Sequence, residues 1–201
     1  SLKAFIAGDN DKAVNVYACF DNEEVGSNTK QGAMSTLLHD TLKRLNASLG
    51  FEEEEYHKAV AKSFLVSADN AHAVHPNHKE LTDDENRTFM NKGIVVKEAA
   101  NQKYTSDAFS QAVFKKICAL AEVPVQHFAN RSNMQGGSTL GNLSNTQVSL
   151  HAVDIGLPQL AMHSNYETAG AMDPVYMIKA LTKYYNSNIK IDGASKISVE
   201  E

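Results

Sequence analysis

Cysteine is scarce in this chain: its 201 residues include only Cys19 and Cys118. Both sit in apolar stretches and neither has a CxxC neighbour. That excludes a disulfide framework and a cysteine-based metal or redox motif. Two buried free thiols are expected and fit a reducing compartment, so a cytoplasmic location is expected. Basic charge is also short. Lys and Arg number 19 against 24 Asp and Glu, a formal net charge of −5. The chain therefore lacks the basic surface that a phosphate backbone needs and has little to offer an anionic membrane. Neither nucleic acid nor membrane is expected as a partner. No apolar run approaches the roughly 20 residues that span a bilayer. The opening Ser1-Leu2-Lys3-Ala4-Phe5 shows no secretory layout of charge, apolar stretch and cleavage site. No internal repeat or Pro/Gly/Ser linker divides the chain. There is no Gly-Lys-Ser/Thr of a Walker loop, no dinucleotide-binding glycine fingerprint, no GxSxG elbow and no HExxH helix.

What the chain does contain is an alternation of strand and helix patterns. Ala13–Phe20, rich in β-branched and aromatic residues, predicts a buried strand. Ala33, Met34, Leu37, Leu38, Leu42 and Leu45 form a helical stripe over 31–46. The acidic run from Glu52 predicts a second helix to about Lys62, and Ser63–Ser67 a short strand. A long polar loop is expected over 69–92. Further strands are predicted at Gly93–Lys97, Val125–Ala129 and Val148–Ile155. A helical face runs from Phe109 to Leu120. Asp173-Pro174 opens another helix, because proline suits the first helical position. The glycine-rich Gly136–Gly141 reads as a tight loop, and the tail from Ser195 to Glu201 as frayed. The pattern predicts an α/β fold: a three-layer sandwich with a largely parallel sheet and helices on both faces.

In such sheets, ligands bind beyond the carboxyl ends of the strands. After the first predicted strand come Glu23 and Glu24; after the next, Asp69, His72 and His75; after Val148–Ile155, His163. Three strand ends carrying carboxylates or imidazoles suggest a metal site. Adjacent carboxylates repel, and a divalent cation absorbs the charge if one of them ligates it. The other is then free to act as a general base. Each residue also has a plainer reading. The glutamate pair fits a solvated turn, Asp69 a turn-former, and His163 a hydrogen-bonded core histidine. His72 and His75 fit metal ligands, substrate donors or supporting groups. The backbone amides of Gly136–Gly141 suit an anion or a carbonyl oxygen, or simply a structural turn.

Taken together, Asp21–Ser27, Ser67–Asn77 and Pro158–Ser164 resemble the corresponding segments of the aspartyl aminopeptidase family, and the resemblance runs from about Val14 to Tyr185. It implies a cytosolic two-zinc exopeptidase with a zinc-exopeptidase-like fold, acting on peptides with acidic N-terminal residues and assembling as a homo-oligomer. By the same resemblance Glu23 is the general base, Glu24, Asp69 and His163 are zinc ligands, and His72, Lys97, Tyr104 and Gly137 contact substrate. Lys97 would suit an acidic side chain; an exposed lysine at a strand end is the alternative.

Members of that family are about twice this length. The resemblance therefore implies that residues 1–201 are the carboxyl-terminal part of a catalytic domain. The amino-terminal part and the inserted assembly domain are then absent, and the fold is incomplete. Two zincs sharing one carboxylate need about five protein ligands, and three can be named here. The expectation is an aminopeptidase in the parent, with this chain poor in metal and inactive alone. The competing readings are a non-catalytic or structural piece of the same fold and a different two-metal hydrolase.

Overall fold

The computed structural model describes residues 1–193 and 196–200. At its centre lie four strands, β1 (Phe64–Ala68), β3 (Ile94–Glu98), β4 (Val125–Ala129) and β5 (His151–Gly156), in the order β1-β5-β3-β4. β1 is parallel to β5 and β3 to β4, whereas β3 and β5 are antiparallel. The sheet is mostly parallel, as expected, but it consists of two parallel pairs joined at an antiparallel seam. The carboxyl ends of β1 and β5 share one rim. β3 runs the other way, so Lys97 near its end pairs with Asp154 in the interior of β5.

Near-continuous apolar runs make strands that are covered on both faces. Ile94, Val96, Val153 and Ile155 point into the main core. They meet Phe114 and Cys118 of α4 (Ala108–Leu120), Met177, Ala180, Leu181 and Tyr185 of α6 (Asp173–Asn186), and Ala4 of α1 (Leu2–Ile6). The opposite face buries Val95 with Ala71, Tyr104 and Phe128. A short helix, α5 (Leu140–Asn145), packs there on β1 and β5. α4 starts at a capping box formed by Asp107 and Ser110, and α6 carries Pro174 in its first turn. A second, small sheet joins β2 (Ala71–His72), β6 (Pro158–Leu160) and β7 (Thr168–Ala169). Among the described residues no helix is long and apolar enough to cross a membrane.

Three expectations fail. Residues 14–20 form no strand, and Val14 and Val16 are exposed. β-branched composition favours a pleated surface, yet a strand exists only where a neighbour completes its ladder. β1 is an edge strand among the described residues. Between it, residues 14–20, α2 (Leu37–Ser48) and α3 (Glu53–Ala61) lies a mostly apolar cavity of about 400 Å3, lined by Leu38, Leu42, Leu45, Tyr56 and Phe64. The helix expected from Gln31 begins only at Leu37. Ahead of it Gly32 presses on Ser27, and the Ser35 hydroxyl donates to the Gly32 carbonyl while accepting from the Leu37 amide, local bonds that compete with helix. The tail is not frayed over Lys196–Glu200. It forms β9, antiparallel to β8 (Asn188–Asp192), after an Asp192-Gly193 turn signal. Ser195 and Glu201 lie outside the described residues.

Candidate functional site

Three loops build the rim. Asp69 follows β1 directly; its amide donates to the Ile155 carbonyl at 3.1 Å, and its carboxylate accepts from the Asn70 amide at 2.7 Å. The turn bearing Glu23 and Glu24 is closed by Ser27 N to Asn22 O at 2.9 Å and Gly26 N to Glu23 O at 2.9 Å. The β6–β7 hairpin carries His163, whose amide donates to Glu167 Oε1 at 2.7 Å. Asn70 ties β2 to this hairpin through Gln159 Oε1 at 2.9 Å. Two of these loops hold non-glycine residues in the left-handed region: Asn22 and Ser27 at φ 60°, Ala161 at 56° and His163 at 67°. Such conformations cost on the order of 1 kcal/mol each, so the hydrogen bonds around them must over-determine the backbone.

The rim brings several of the expected residues together. His163 Nε2 and Glu24 Oε2 are 2.6 Å apart, both side chains about two-thirds exposed. Burial raises the pKa of Glu23, and the charges of Asp69 and Glu24 raise it further against the opposing pull of Lys97 and His163. Its carboxyl therefore sits within the field of all four. Lys97 is 1% exposed, which removes the reading of an exposed strand-end lysine. Its ammonium donates to the Asn70 carbonyl at 3.2 Å, lies 3.5 Å from Asp69 Oδ2 and stands 5.4 Å above the Tyr104 ring. Desolvation lowers its pKa, while Asp69 and Asp154 oppose that.

Two of the remaining expected residues, Tyr104 and His72, lie within reach of this lysine. Tyr104 is buried against Phe128, and burial raises its phenol pKa. The pKa of His72 is pulled down by desolvation and then by Lys97 and His163; its ring centroid is 6.3 Å from that of Phe128. Gly137 lies in an open, exposed stretch rather than a tight turn, with free space around it. The neighbouring Gly136 carbonyl accepts from Lys103 Nζ at 3.2 Å, which anchors this loop beside Tyr104.

Sequence reasoning gave no part to Thr105, Asp154 and Glu167. For Asp154 a signal existed: a carboxylate inside the apolar run Val153-Asp154-Ile155 is rarely buried without partners. The others are ordinary polar residues whose roles arise only from their neighbours.

Imidazole and carboxylate donors suit zinc, so the chemistry of Glu24, Asp69 and His163 fits that metal. The count does not. Glu24 and His163 meet, while Asp69 engages Lys97. Among the described residues no group of three or more His, Cys, Asp or Glu is gathered to hold a metal ion.

Comparison with known proteins places the chain in a family. The family model described as "Aminopeptidase I zinc metalloprotease (M18)" matches residues 1–185. The chain belongs to the M18 aminopeptidase family. It is 52% identical over 175 residues to the probable M18 family aminopeptidase 2 of Clostridium novyi, covering 87% of this chain and 40% of that protein. It is 38% identical over 193 residues to aspartyl aminopeptidase 1 of Schizosaccharomyces pombe, covering 96% and 40%. Among solved structures, the Ape4 and Nbr1 complex aligns with a TM-score of 0.80 at 40% identity, over 83% of this chain and 31% of that one. The Saccharomyces cerevisiae mApe1 dodecamer aligns with a TM-score of 0.72 at 28% identity, over 83% and 36%. The chain thus spans about two fifths of the length of the curated relatives it matches.

Proposed function

We propose that this chain is the carboxyl-terminal part of the catalytic domain of a zinc aminopeptidase that removes acidic N-terminal residues from peptides. The observation carrying this reading is the contact between Glu24 and His163 beside a glutamate, Glu23, whose pKa is raised. Glu24 and His163 would ligate one zinc and Asp69 a second. The remaining ligands would come from residues beyond this segment, in keeping with the span of the relatives and the short ligand count. Bound zinc would supply Lewis-acid polarisation of the scissile carbonyl and acidify a water molecule.

Glu23 has two jobs in this reading. As a carboxylate with raised proton affinity it takes the proton from the attacking water and delivers it to the leaving amine. Lys97, fixed on the Asn70 carbonyl over Tyr104, would pair with the substrate's acidic side chain, a charge-assisted contact that a neutral residue cannot make. His72 and the Gly136–Gly141 loop would border the bound peptide. Assembly as a cytoplasmic homo-oligomer belongs to the same proposal; the dodecamer of a relative supports it.

The decisive experiment measures zinc content and hydrolysis of aspartyl- and alanyl-anilides, in this chain and in a longer protein that contains it. Zinc uptake and aspartyl preference in the longer protein are expected. Cleavage of acylated amino acids instead would point to another two-metal hydrolase. Absence of both zinc and turnover in the longer protein would leave a structural, non-catalytic piece.

A further inference from the structure

Three buried polar side chains form a row across the middle of the central sheet. Ser67 on β1, Asp154 on β5 and Lys97 on β3 are register neighbours, and none is more than 2% exposed. Polar groups so deep in a sheet cost free energy unless they are bonded. Asp154 is the centre of the row. Its Oδ2 accepts from the Thr105 amide at 2.6 Å and its Oδ1 from the Thr139 hydroxyl at 2.9 Å. Its own amide donates to Ser106 Oγ at 2.9 Å. The approach of α5 depends on Gly141, where a Cβ would lie 2.6 Å from both Asp154 Oδ1 and Ser67 Oγ. One carboxylate therefore holds the segment that carries Tyr104 and the loop that carries Gly136 and Gly137. Lys97, its pairing neighbour on β3, lies 5.4 Å from the ring of Tyr104.

We infer that Asp154 is a positioning residue for recognition of an acidic substrate side chain. It touches no substrate. It sets where Tyr104 stands over Lys97 and anchors the glycine loop through Thr139, and a displacement of about 1 Å at such a site is enough to cost much of the binding it supports. The inference rests on the reading of Lys97 as the partner of the substrate carboxylate.

Asp154→Asn keeps the side-chain volume and one acceptor for the Thr105 amide, now neutral, and turns the other end into an NH2 donor, so the Thr139 hydroxyl must reverse to accept. In a zinc-loaded protein containing this chain, the expected result is a rise of about tenfold in KM for an aspartyl-anilide. kcat should stay within about threefold, and KM for an alanyl-anilide should not move. Calorimetry should show weaker binding of L-aspartate and unchanged binding of L-alanine. Amide hydrogen exchange should speed up over 103–107 and 136–140. A merely structural role would shift both substrates alike, and that outcome, or no shift at all, overturns the inference. If Asp154→Asn does not fold, Thr139→Val removes a single donor and decides instead: the same split at smaller size supports the inference, and its absence overturns it. A parent protein that fails to prefer aspartyl over alanyl substrates would refute the Lys97 reading and this inference with it.

Discussion

Glu24 and His163, delivered by loops from opposite ends of the chain, meet with 2.6 Å between Oε2 and Nε2. Both side chains are largely in water, where such a pair contributes within about 1 kcal/mol. The contact therefore says little about stability and much about place. Glu24→Ala is expected to leave the thermal unfolding midpoint nearly unchanged and to lower zinc content. Elemental analysis of the longer protein checks this; full zinc occupancy in the variant would remove Glu24 from the ligand set.

Glu23 is the group whose loss should separate chemistry from metal binding. Glu23→Gln retains shape and loses basicity. Turnover is expected to fall by about 10²–10⁴-fold with zinc content intact. Near-normal kcat in a zinc-replete variant would assign the base to another residue.

Lys97 is a buried ammonium facing Asp69, whose side chain is 31% exposed. Lys97→Met keeps most of the volume and takes the ion-pair partner from Asp69, while Asp154 keeps its bonds to Thr105 and Thr139. Since Asp69 retains some solvent, the expected loss is smaller than for a fully buried pair, about 2 kcal/mol. Urea denaturation of this chain measures it. A variant as stable as the parent would show that the lysine's desolvation already cancels its pairing.

The pH dependence of this chain without metal has a definite sign. The folded pKa of Glu23 is raised, by burial first, so the folded state holds its proton more tightly than the unfolded state. Stability from this group is full below the ordinary carboxylate range and is lost as pH rises through the folded pKa. Glu23→Gln should gain stability relative to the parent as pH rises from about 4 to 7. His72, with a folded pKa lowered by desolvation, acts oppositely: its contribution is lost as pH falls below the ordinary histidine value. Unfolding curves at several pH values, for the parent, Glu23→Gln and His72→Gln, test both signs, and parallel profiles would contradict them.

The two thiols should differ in reactivity. Cys118 is buried as expected, but Cys19 is exposed, because its segment pairs with no strand; burial pushes the Cys118 thiol up to about 12. Thiolate is the reactive form, so a thiol reagent at neutral pH should label one cysteine in the native chain and two in denaturant. Labelling of both in the native state would mean that the core around α4 opens.

Much of the architecture was legible because one-dimensional patterns carry it. β3 and β4 were readable from short β-branched or apolar runs bounded by breakers. α4 and α6 were readable from helical spacing together with a cap or a proline. The Glu23-Glu24 pair, Asp69 and His163 stood out because charged or imidazole groups beside apolar strands are uncommon. Residues 14–20 were misread because strand formation needs a partner, and propensity is silent about partners. The tail was misread for the converse reason: β8 supplies β9 with the ladder that the sequence of 196–200 does not announce.

Residue order alone specified where strands and helices form, which side chains avoid water, and which short motifs carry zinc-like donors. Those depend on local spacing and on solvation, both written into neighbouring residues. Folding in three dimensions settled the rest: the antiparallel seam that sets Lys97 beside Asp154, the burial of that lysine against Asp69, and the meeting of Glu24 with His163. Contacts between distant segments depend on register and on loop closure, and the energy of each ion depends on the neighbours that replace its water.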